Sequence, residues 1–129
     1  MSYYFSKTVD YSFEQAIENI TEELNKEGFG ILTEIDVKQT FKKKLDVDFR
    51  KYKILGACNP QFAFEAIQIE PHIGAMLPCN VIVQELENGK IEVSAVNPIS
   101  SMIAVKNDSL STIANQVGEK LCKVIANLN

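Results

Sequence analysis

The chain has 129 residues, 46% of them hydrophobic and 23% charged, with a formal net charge of −4 at neutral pH. That length supports one core and is too short for two comfortable ones, so a single domain over residues 1–129 is expected. The acidic balance argues against nucleic acid as a partner, because phosphate recognition needs clustered Lys or Arg, and the one basic run, Lys42-Lys43-Lys44, is cut by Leu45-Asp46 and reads as a solvated turn.

Ser2 to Val9 reads as a first strand, with Tyr3 and Phe5 on one face and Tyr4 and Ser6 on the other. Ser12 to Lys26 is the clearest helix. Ser12 with Gln15 forms a capping box, and Phe13, Ala16, Ile17, Ile20 and Leu24 make a buried stripe. Gly28 then supplies a left-handed C-cap. Phe29 to Val37 alternates as a second strand. The charged connection after it allows one or two helical turns around Thr40, Phe41 and Leu45, as a flap or a plain crossover.

Tyr52 to Ala57 is an apolar run and so a third strand. Asn59 suits an N-cap and Pro60 the first helical position, opening a short helix with Phe62, Ala63, Ala66 and Ile67 in its stripe. Cys58 therefore sits just before a helix N-terminus, a place that can favour a thiolate. Read as packing alone, it is a small buried hydrophobe.

Pro78-Cys79-Asn80 opens a fourth strand, since proline is tolerated where a strand begins. Asn88-Gly89 signals a two-residue hairpin turn, which pairs Leu86 with Ile91, Gln84 with Val93, Ile82 with Ala95 and Asn80 with Asn97. In that register these residues meet the core. Val81, Val83 and Val96 then lie outside, an apolar patch that a second copy of the chain would cover. A final helix over about Ser109 to Leu128 carries Leu110, Ile113, Val117, Leu121, Val124 and Leu128. Gly118 allows close approach to the sheet, and Cys122 is read as packing. The expected fold is α+β: one mainly antiparallel sheet of about five strands, with the long helices packed on one face.

The run Gly56-Ala57-Cys58-Asn59-Pro60 with Ala63 and Ala66, then Ile73-Gly74, Leu77-Pro78-Cys79-Asn80-Val81 and Asn97-Pro98 with Met102, resembles the domain of unknown function 302 family. The resemblance spans almost the whole chain. It implies a β-α-β-β-β-β-α arrangement like that of the TATA-binding protein, and a homodimer. It assigns no role to Cys58, Asn59, Cys79 or Asn80.

No segment approaches the roughly 18 apolar residues that span a bilayer. The opening residues lack the charged-then-apolar order of a signal peptide. A cytoplasmic protein without a membrane partner is expected, and three cysteines without a spaced framework agree with free thiols. Cys58, Cys79, Cys122 and His72 are soft ligands by type, but their spacing matches no zinc motif, so no metal or cofactor is expected. No phosphate loop, nucleophile elbow or metalloprotease pattern occurs, and whether the chain is an enzyme stays open. The leading expectation is a homodimeric binding or interaction domain, with Cys58, Asn59, Cys79 and Asn80 lining one small-ligand pocket. The alternative is a thiol-dependent enzyme or redox protein using Cys58 and Cys79.

Overall fold

A computed structural model describes residues 2–129. Five strands form one sheet in the order β1-β5-β4-β3-β2, every neighbouring pair antiparallel. The strands are β1 (Tyr4–Val9), β2 (Gly30–Asp36), β3 (Tyr52–Cys58), β4 (Cys79–Glu85) and β5 (Ile91–Val96). The helices are α1 (Phe13–Lys26), α2 (Val37–Leu45), α3 (Pro60–Ile69), α4 (Pro98–Ser101) and α5 (Ser111–Ala126), with a 3-10 turn over Pro71–Met76. The expected α+β architecture is present, and the sheet has no parallel pair among the described residues.

The local signals explain the long helices. Ser12 accepts from the Gln15 amide at 3.0 Å, although Gln15 bonds Asn19 rather than completing the capping box. Gly28 takes φ +86°, and the Phe29 amide reaches back to the Leu24 carbonyl at 2.9 Å. Ala16, Ile20 and Leu24 of α1 and Leu121 and Val124 of α5 are fully buried against Leu55, Val81, Val83 and Val93 of the sheet. Burying each of the Val, Leu and Ile side chains among them contributes about 1.5–3 kcal/mol, which makes the helix side of the sheet the core.

The connection after β2 is one helix, α2, capped by Asp36 accepting from the Gln39 amide at 2.9 Å and ended by left-handed Asp46. Its last turn holds Lys42-Lys43-Lys44, and Lys42 pairs with Asp46 at 3.0 Å. None of its residues is buried.

The hairpin register departs from expectation by one residue. Val81 faces Ala95, Ile82 faces Ser94 and Val83 faces Val93. The Leu86 amide donates to the Lys90 carbonyl at 2.8 Å, so the loop holds three residues, Glu87-Asn88-Gly89, rather than two. Gly89 at φ +82° supplies the left-handed residue that such a loop needs, and the Asn88 side chain accepts from the Lys90 amide at 2.9 Å. A one-residue slip exchanges the faces of a strand. Val81 and Val83 are thus completely buried under the helices, and the patch expected from them on the outer face does not exist.

Three smaller expectations are also corrected. Ile67 is 45% exposed, because α3 buries only Ala66. Cys122 is exposed rather than packed. A Cβ on Gly118 would meet Ile99 at 2.9 Å, so the close approach there is to α4 and not to the sheet.

Candidate functional site

The candidate site grows from two strand ends. β3 and β4 pair with Ala57 opposite Cys79, which brings Cys58 and Cys79 to the same end of the sheet although 20 residues separate them. α3 starts there and α5 passes over it. Between them lies a cavity of about 40 Å³, lined by Cys58, Asn59 and Cys79 together with Phe62, Leu77, Met102 and Val117, among others. Its walls are almost wholly apolar. The volume exceeds the roughly 10–15 Å³ that one water needs, so the space fits a very small guest.

Cys79 is buried, Cys58 half-buried. Burial pushes the Cys79 thiol up to about 11, and the adjacent Cys58 adds to the shift. At neutral pH Cys79 is therefore a neutral thiol and a poor nucleophile. Among the described residues no His, Asp or Glu lines the cavity to act as a base.

Asn59 does not cap α3 with its side chain. Its Nδ2 instead donates to the Glu27 carbonyl at 3.3 Å, tying the end of α1 to the start of α3. Glu27 is fixed in turn by Lys123 at 3.2 Å and Lys120 at 3.6 Å. The Lys123 hydrogen bond is the main cause that holds its carboxyl below the usual range.

Asn80 does not join the other three. It is exposed, one residue beyond Cys79 and so on the opposite face of β4. Gly56, its partner in β3, leaves no room for a side chain, since a Cβ would meet Thr33 Oγ1 at 2.1 Å and Pro78 Cγ at 2.8 Å. The neighbour that demands this glycine is thus the protein itself.

His72 is 96% exposed, its Nδ1 3.5 Å from Glu70, and it does not line the cavity. Glu70 also accepts from Asn107 at 3.3 Å, the largest cause of its lowered pKa. No cluster of three or more His, Cys, Asp or Glu residues suited to a metal occurs among the described residues. No described helix is long and apolar enough to cross a membrane.

The sequence reading expected an apolar patch on the outer face of the sheet but, Val96 apart, drew it with the wrong residues. Asn80, Ile82, Gln84, Tyr52, Glu92, Val96, Tyr3 and Tyr4 line an open groove of about 470 Å³ there. Ile54 pairs with both Ile82 and Ile35, so an isoleucine row crosses three strands. Ile35 is 48% exposed and Tyr4 44%. The signal was present in the alternation of β4, but the assumed turn length assigned it to the wrong face.

No curated protein matches the chain significantly. A crystal structure of an uncharacterized conserved DUF302 protein from Bacillus stearothermophilus is similar over 98% of both chains, at 27% identity and a TM-score of 0.90. The model of the family described as Domain of unknown function DUF302 matches residues 5–128. With nearly every residue inside that match, the chain belongs to the DUF302 family.

Proposed function

We propose that this protein is a homodimeric binding module, in which two copies close their outer sheet faces on each other. A small apolar guest occupies the cavity beside Cys58, Asn59 and Cys79. The observation that carries the dimer is the isoleucine row Ile35-Ile54-Ile82 with Tyr4 and Val96, beside a groove on the outer face that no helix residue lines among the described residues. Two aligned sheets pack about 10 Å apart and bury such a face on both sides at once. In an isologous pair, residues near the axis meet their own copies. Ile82 lies at the middle of β4, itself the middle strand of the sheet, and is the residue nearest such an axis.

Light scattering at micromolar concentration tests the reading. The native chain should show twice its 14.4 kDa mass. Ile82→Glu should raise the dimer Kd by roughly 100-fold or more, because it leaves a carboxylate unpaired in an apolar interface. A native chain of monomeric mass would overturn the proposal. Thiol catalysis is the weaker reading, since only Cys58 remains as a nucleophile and no base lines the cavity among the described residues.

A further inference from the structure

We propose that residues 101–109 form a lid over the apolar cavity, with Met102 as its plug and the hydrogen bond between Asn107 and Glu70 as its latch. The proposal rests on the reading that the cavity takes a guest, and it names the way in. The cavity lies between two hydrophobic clusters. Phe29, Ala57, Cys79 and Val117 on its walls belong to the main core, whereas Ala66 and Leu110 belong to a small cluster against which Leu77, Met102 and Val105 pack. The void already removes contacts across that boundary, so parting it there forfeits less attraction than parting the main core.

The segment that closes the gap is loosely embedded between two firm anchors. No residue from 101 to 109 is fully buried. On either side, Pro98 and Leu110 are buried, and Asn97 donates to the Ser2 carbonyl at 3.2 Å. Ile99 sits so close to Gly118 that a Cβ there would meet it at 2.9 Å. Among the described residues, a single hydrogen bond ties residues 101–107 to the chain outside residues 97–110: Asn107 Nδ2 donates to Glu70 Oε1 at 3.3 Å. Lys106 beside it takes φ +53°, a left-handed conformation that a lysine holds under strain and gives up when the turn is released.

Segments with few buried contacts and few hydrogen bonds to the rest of a fold open locally, without global unfolding. Met102 suits the plug, because its unbranched side chain has three rotatable bonds and fills or leaves an irregular gap without moving the helices around it. The lid is on the helix side of the sheet, so it does not depend on the dimer.

The experiment follows iodoacetamide modification of Cys79, a buried wall residue, by peptide mass spectrometry, together with amide hydrogen exchange of the full-length chain. Asn107 also accepts from the Ser109 amide at 3.1 Å. Asn107→Asp keeps that acceptor and sets a carboxylate against Glu70. It should speed modification of Cys79 about tenfold or more, the effect of losing a hydrogen bond to a charged group. Combining Glu70→Gln with Asn107→Asp exchanges donor and acceptor and should restore the native rate. Amide exchange in Asn107→Asp should rise over residues 101–109 and stay native in β4 and around Leu121. An unchanged Cys79 rate in Asn107→Asp, no recovery in the double variant, or exchange raised equally in β4 would each overturn the lid. Xenon under pressure tests the guest separately: in the native chain it should shift the NMR signals of Ala57 and Val117. Absence of that shift would overturn the guest reading, while modification and exchange still decide the lid.

Discussion

At the scale of single residues, Cys79 sets what chemistry the cavity permits. Its thiol is pushed from the ordinary value of 9.0 up to about 11, first by burial and then by Cys58. A raised acid pKa means that folding favours the neutral thiol. The stability it contributes is complete below pH 9 and is lost as pH climbs towards 11, by roughly 3 kcal/mol in all. Chemical denaturation across that window should show a steeper decline for the native chain than for Cys79→Ala, and equal slopes would refute the shift. Alkylation followed by mass spectrometry near neutral pH should modify exposed Cys122 readily and Cys79 last. Asn59 shows how far residue type alone can mislead. It has the chemistry of an N-cap, yet it spends its amide on the Glu27 carbonyl because the turn after α1 is packed against it.

At the scale of elements, the decisive feature is the length of one loop. Three residues between Leu86 and Lys90 put Val81 and Val83 inside and Ile82 outside. Val81→Lys should therefore prevent folding, since an unpaired ammonium would enter the core, while Ile82→Lys should keep a native circular dichroism spectrum. The reverse outcome would restore the two-residue turn. Much of the fold was legible in the sequence. The apolar stripes of α1 and α5 repeat over three turns or more, so an error at one position cannot move them. The approach of Cys58 to Cys79 was legible too, because a helix that leaves a strand end must bring the chain back along the sheet. The hairpin register was not, since Asn-Gly serves both loop lengths and the strands are apolar on both faces. Asn80 was consequently assigned to the cavity when it belongs to the other side of the sheet. Met102 carried no local signal for the cavity, because only the packing of α4 against α5 brings it there.

At the scale of the molecule, helices cover one face of the sheet, the proposed partner covers the other, and the two margins β1 and β2 remain open. Open margins present unpaired amides and carbonyls to any other strand in solution. β2 carries an interruption: the register shifts between Ile31 and Thr33, leaving Leu32 as an extra residue, 67% exposed. Glu34 and Asp36 add charge along the same strand. A bent and charged margin is a poor template for addition of further strands. The bulge thus acts as a terminator against side-by-side addition of further chains. Deleting Leu32 should straighten the margin and let chains add side by side, seen as filaments by electron microscopy and as scattering that grows with concentration. A deletion variant that stays as soluble as the native chain would assign that restraint to the charges alone.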